Sequence, residues 1–145
     1  MWENKKWKCP GEDLSIDINL KLKELSNKRV FIGCDSKEKN KNTIFACVII
    51  HDRKYYYTKI LLGEFKSYHD RLREEVNIVM SLAFYVFDVN PNLNLELHYD
   101  ISQNPKMFSN KILRYASSYA ESCNFKWKAK PNAWASTDIA DWHTK

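Results

Sequence analysis

Arg29-Val30-Phe31-Ile32-Gly33-Cys34-Asp35-Ser36 is a compact apolar run that ends on a carboxylate and a hydroxyl. Val-Phe-Ile without polar alternation is the pattern of a strand covered on both faces, so Asp35 is expected at the polar tip of a core strand. The charged, amide-rich segment from Lys37 to Asn42 reads as a turn. Beyond it, Ile44 to Ile50 and Tyr55 to Leu62 are rich in β-branched and aromatic residues, and His51-Asp52-Arg53-Lys54 parts them. Three consecutive strands in an antiparallel meander are the natural outcome.

Working outward, Leu14, Ile18, Leu22 and Leu25 recur at helical spacing and predict a short amphipathic helix over Asp13 to Leu25. Ser67 to Asp70 supplies helix-start residues, and Leu72 to Phe87 is apolar nearly all round, as in a helix held between layers. After the turn at Asn90-Pro91-Asn92, Leu93, Leu95, Leu97 and Tyr99 alternate and lead to Asp100, a second carboxylate at a strand end. Met107 to Cys123 has helical spacing, Phe125 to Ala129 forms a short strand, and Asp138 to His143 begins another helix. After the first helix the order is therefore βββαβαβα. That is the α/β topology of the ribonuclease H fold, a mixed sheet led by three antiparallel strands and here preceded by an added N-terminal helix.

At 145 residues one hydrophobic core is comfortable and two would each be marginal. Residues 1–12 read as an N-terminal arm anchored by Trp2 and Trp7, and residues 13–145 as a single domain. No run approaches the length of a membrane span and the lysine-rich start has no apolar signal core, so a cytoplasmic protein is expected. Cys9, Cys34, Cys47 and Cys123 form no Cys-x-x-Cys pair, which favours free thiols over zinc ligands or disulfides. The net charge of +5 leans toward a polyanionic partner without demanding one.

The chemistry lies in four acids. The ribonuclease H site gathers carboxylates from the first strand, the first helix after the meander, the fourth strand and the last helix. Asp35, Glu74 or Glu75, Asp100 and Asp141 occupy those places. Hydrolysis of a phosphodiester by this route uses two hard cations a few Å apart, and magnesium or manganese prefers oxygen donors. Singly, each acid has an ordinary reading: Asp35 or Asp100 as a turn residue, Glu74 and Glu75 as acids favoured by a helix start. Jointly, their order on the elements favours a metal site. Asp138 follows Ser136-Thr137 and fits an N-cap, which would put Asp141 at the third helical position, pointing inward. Helical phase leaves the other choice open: Glu75 shares a face with Leu72, Val79 and Leu82, whereas Glu74 lines up with Ile78 and Ser81.

From about Val30 onward the chain resembles the ribonuclease H-like YkuK family of predicted nucleases. The resemblance rests on Ile32-Gly33-Cys34-Asp35-Ser36, Leu72-Arg73-Glu74, His98-Tyr99-Asp100-Ile101-Ser102, Lys130-Pro131-x-Ala133-x-Ala135 and Ala140-Asp141. It implies Glu74 as the helix-borne acid. It departs from the family pattern at Val79, where a further Glu would stand.

Ser36, Lys66, Arg71, Arg73, Lys128 and Lys130 are the expected contacts to nucleic acid, the basic residues near Glu74 being the best placed to hold a phosphate. His143, two residues past Asp141, is a candidate proton donor or an exposed terminal histidine; His69 and His98 read as supporting or surface groups. The resulting expectation is a nuclease acting on RNA or an RNA/DNA hybrid with two Mg2+ or Mn2+ ions at Asp35, Glu74, Asp100 and Asp141. The alternatives are a catalytically silent nucleic-acid-binding module on the same fold, and a protein-interaction subunit.

Overall fold

A computed structural model describes residues 1–25 and 28–145. The meander forms as expected: β1 (Arg29–Lys39), β2 (Asn42–His51) and β3 (Lys54–Leu62) are antiparallel neighbours. Both hairpins turn on two residues with positive φ, Asn40-Lys41 (51° and 63°) and Asp52-Arg53 (49° and 68°), the geometry that matches strand twist. The first turn is thus confined to Asn40-Lys41, and β1 runs four residues past Asp35, which sits within the strand opposite Ala46 instead of ending it. The helix α2 (Tyr68–Val89) follows, then β4 (Asn94–Ser102), α3 (Leu113–Ser122) and β5 (Lys126–Lys130). The sheet order is β3-β2-β1-β4-β5, with β4 parallel to both β1 and β5.

Alternation along the strands divides two layers. Val30, Ile32 and Cys34 of β1, Phe45, Cys47 and Ile49 of β2, and Leu97, Tyr99 and Ile101 of β4 pack with α2 and α3 in the main core. The opposite face carries Val48 and Ile50, covered by Ala135 and Ala140 of a C-terminal π-helical segment (Ala135–Ala140). That segment lies hard against Gly33, where an added Cβ would come within 2.7 Å of the Ala135 carbonyl carbon and 2.8 Å of the Ser136 nitrogen. Only glycine permits so close an approach.

Other elements also depart from their sequence reading. Helix α1 is shorter (Ile18–Glu24), because Asp17 accepts the Leu20 N–H and caps it there, leaving Leu14 81% exposed. The segment read as one helix from Met107 divides into a 3₁₀ turn (Phe108–Ile112) and α3. The arm is docked more firmly than an anchored tail: Trp2 and Trp7 are buried, and the Trp2 indole donates to Ser81 Oγ at 3.0 Å. Lys8 exchanges two 2.9 Å backbone hydrogen bonds with Tyr57, which blunts the β3 edge. Among the described residues no helix is long and apolar enough to cross a membrane.

Candidate metal centre at the fork between two strands

β1 and β4 pair from Arg29↔Asn94 to Gly33↔His98 and then part, β1 staying with β2 and β4 with β5. Such a fork, where neighbouring parallel strands lead off to opposite sides, opens a crevice at their carboxyl ends. Asp35 and Asp100 each stand two residues beyond the last pair, on the same face as Gly33 and His98. An irregularity in the β4–β5 register between Tyr99 and Ser102 adds a kink at Asp100, as bulges beside functional sites do.

The third acid arrives from the other layer. Ser67 caps α2 by accepting the Asp70 N–H at 3.1 Å, and the phase so set buries Leu72, Glu75, Val76 and Val79 together. Glu75 therefore reaches into the fork, and the Ser36 hydroxyl donates to its Oε2. Carboxylate oxygens of Asp35, Glu75 and Asp100 lie within 4.8 Å of one another. Glu74, the position implied by the family resemblance, is one step round the helix, half-buried and outside this group. Asp141 directly follows the π-helical segment and lies on the rim, near enough to hydrogen-bond the Asp35 carboxyl, with Lys145 Nζ 3.9 Å from its Oδ2.

Crowding and burial raise the proton affinity of the centre. The Asp35 carboxyl is pushed up to about 10 by burial, then by the charge of Glu75 and by the charge and hydrogen bond of Asp100. Glu75 is raised to about 8 by burial, against the opposing hydrogen bond from Ser36. Lys130 Nζ meets Asp100 Oδ1 at 2.8 Å and so brings a cation into contact with the group. Cys34 adjoins the site, but burial pushes its thiol up and keeps it protonated, and the thiol faces the Asp35 carbonyl at 3.8 Å. The donor set is thus all oxygen, anionic when deprotonated and costly to leave uncompensated, which fits hard dications such as magnesium or manganese.

The expected nucleic-acid contacts are sorted by the fold. Arg71 lies beside the acids, on the Glu75 side of α2, and Lys66 is exposed just ahead of that helix. Arg73 projects toward α3 with its guanidinium 5.9 Å from the Tyr115 ring, and Lys128 sits 4.0 Å from Glu96. Ser36 is buried and its hydroxyl donates to Glu75. Asp138 does not cap a helix: the helical turn begins upstream at Trp134 and leaves Asp138 exposed within it. His143 stacks on Tyr57 at 3.8 Å and shares a 2.8 Å hydrogen bond with the Tyr55 hydroxyl, which anchors the chain end on β3.

Two supporting residues had weaker signals in the sequence. Ser136 Oγ donates to the His98 carbonyl at 2.6 Å and accepts the Cys34 N–H at 3.2 Å, so one hydroxyl ties the segment bearing Asp141 to both strands of the fork. His98 is buried and its pKa lowered by that burial, so it is neutral; Nδ1 accepts the Ala135 N–H and Nε2–H donates to Glu96 at 2.8 Å. The small residues of Lys130-Pro131-x-Ala133-x-Ala135 were the one available hint that a chain segment packs closely here.

A family model described as ribonuclease H-like matches residues 15–145. The chain belongs to this ribonuclease H-like family. The match agrees with the YkuK resemblance of the motifs. Comparison with curated proteins and with solved structures finds no match. The ribonuclease H-like sheet accounts for the place of the site: its carboxylates converge at the β1/β4 fork because that is where the strands separate.

Proposed function

We propose that the protein is a divalent-metal-dependent nuclease that hydrolyses phosphodiester bonds of RNA or an RNA/DNA hybrid, with Asp35, Glu75, Asp100 and Asp141 holding two Mg2+ or Mn2+ ions. The observation that carries the reading is the convergence of three carboxylates, two of them buried, from β1, α2 and β4 to within 4.8 Å. Uncompensated, the arrangement is repulsive, and sites that cost stability in this way are commonly functional. Bound dications would supply Lewis acidity and a water of lowered pKa. The chain's own groups do the rest. Asp35, flanked by the other three acids, would hold the ions together with them. Ser36 holds Glu75 in its inward rotamer, and Ser136 holds the segment bearing Asp141. Lys130 neutralises part of Asp100 until a cation or phosphate arrives, and Arg71 is the guanidinium nearest the crevice for a phosphate oxygen.

The test is cleavage of labelled RNA and hybrid substrates by EDTA-stripped protein on addition of Mn2+ or Mg2+. Wild type should cleave at least one substrate only when metal is added. Glu75→Gln should abolish cleavage, and Glu74→Gln should retain it. Metal-independent cleavage, or loss with Glu74→Gln alone, would overturn the assignment. Salt-sensitive binding without cleavage would point instead to the silent nucleic-acid-binding module.

A further inference from the structure

Beside the acids stands an aromatic stack that the fold leaves open. Tyr68 and His69 begin α2 and Phe108 follows β4, so the stack bridges the two elements that carry Glu75 and Asp100. The rings of His69 and Phe108 lie 4.3 Å apart and 11° from parallel, and Tyr68 lies 6.1 Å from Phe108 at 27°. A 3.1 Å hydrogen bond between His69 Nε2 and the Phe108 carbonyl fixes their register. Despite this order, Phe108 is 59% and Tyr68 40% exposed. The Tyr68 hydroxyl is close enough to feel Asp100 and Glu75, whose charges add to burial in raising its pKa.

The surroundings are cationic. The Arg71 guanidinium lies 5.2 Å from the Tyr68 ring and Lys111 Nζ 5.2 Å from the Phe108 ring, with Lys66 exposed one residue before the α2 cap. Lys111 is an exposed, flexible cover for Phe108, able to swing to a phosphate. Besides the crevice carboxylates, Asp70 is exposed in the first turn of α2 and Glu38 is 3.9 Å from Arg71. Exposed aromatic rings edged by mobile cations suit an unpaired base with its phosphate. Bases in a duplex already stack on one another and offer only edges and backbone.

We infer that Tyr68, His69 and Phe108 form a base-stacking platform for single-stranded nucleic acid, with Lys66, Arg71 and Lys111 meeting its phosphates, next to the acidic crevice. The inference rests on the proposed nuclease reading only for what happens to the bound strand, which would pass from the platform to the carboxylates. It narrows the substrate to single-stranded RNA, or to the unpaired part of a larger structure, over a continuous hybrid.

The test is fluorescence anisotropy of wild type and Phe108→Ala in EDTA, with a labelled single-stranded oligoribonucleotide, an abasic strand of equal charge and an RNA/DNA hybrid of equal length. Phe108 is exposed, so the variant should keep its melting curve. Phe108→Trp serves as a ring-retaining control. Phe108→Ala should weaken single-strand binding about tenfold, one stacked base's share, leave the abasic strand and hybrid unchanged, and be rescued by Phe108→Trp. Equal losses on all three ligands, or none on the single strand, would overturn the platform. Single-strand binding that depends on Phe108 in a protein that neither takes up Mn2+ nor cleaves would leave the platform standing and sink the nuclease reading. Absence of binding to all three ligands would refute the platform.

Discussion

Replacing Asp35 by Asn should stabilise the metal-free protein, and the size of the gain should depend on pH. In the folded chain Asp35 is raised from 3.8 to about 10 and Glu75 from 4.5 to about 8, so folding takes up protons at both groups. Linkage then requires stability to fall as pH rises, from about 4 to about 8 through Glu75 and on to about 10 through Asp35. Each pH unit within the window costs about 1.36 kcal/mol per group. Some three units separate pH 7 from the unfolded value of Asp35, an upper bound of about 4 kcal/mol; because part of that is repulsion shared with Glu75, a gain of roughly 2–4 kcal/mol is expected from Asp35→Asn. For a chain of this size that is roughly 5–15 °C in Tm. Urea denaturation of EDTA-treated wild type and variant at pH 4, 5.5, 7 and 8.5 would measure it, the difference vanishing near pH 4 and growing upward. Saturating Mn2+ should shrink or cancel the difference by stabilising wild type more than the variant, about 2.7 kcal/mol at a hundredfold excess over Kd. A variant less stable than wild type at pH 7 in EDTA would refute the reasoning, since it would make the carboxylate a structural hydrogen-bonding group.

Ser36→Ala removes the hydroxyl that orients Glu75 and should weaken Mn2+ binding about 10- to 100-fold in a calorimetric titration, with little change in melting. Lys130→Met removes the ammonium 2.8 Å from Asp100, so it should tighten Mn2+ binding several-fold while lowering metal-free stability, whereas Lys128→Met, whose partner is Glu96, should do neither to the centre. Gly33→Ala drives a methyl into the Ala135–Ser136 backbone and should cost about 1–3 kcal/mol in urea denaturation, with a smaller Mn2+-induced Tm shift because Asp141 is displaced with its segment.

What the sequence could and could not reveal follows from the range of each interaction. The meander, the central helix and the alternating strand before Asp100 rest on periodicities of a few residues, and they formed nearly as read. Element ends depended on finer local choices. Asp13 and Asp17 both suit a helix start, and Ile18 and Leu22 fall in the buried stripe behind Asp17, so packing selected the second. Glu75 was legible in principle: it stands three residues after Leu72 and four before Val79, both buried, and a carboxylate in an apolar stripe needs a reason to be there. Helical phase alone left Glu74 and Glu75 both open, since each has apolar neighbours on its face, and the family pattern pointed to Glu74. The closure of the site over residues 33–36, 98–100 and 135–141 had little local signature beyond the small residues before Ser136. Gly33 needs to be glycine only because Ala135 and Ser136 return against it about a hundred residues later, and Ser136 reads as a helix-start residue until its hydroxyl is seen to join Cys34 to His98. The segment also winds as a π-helix from Ala135 and not as a helix capped near Asp138. Hydrogen bonds to the sheet have thus overridden the local capping preference of Ser-Thr-Asp, and it is this long-range constraint that brings Asp141 to the rim of the fork beside Asp35.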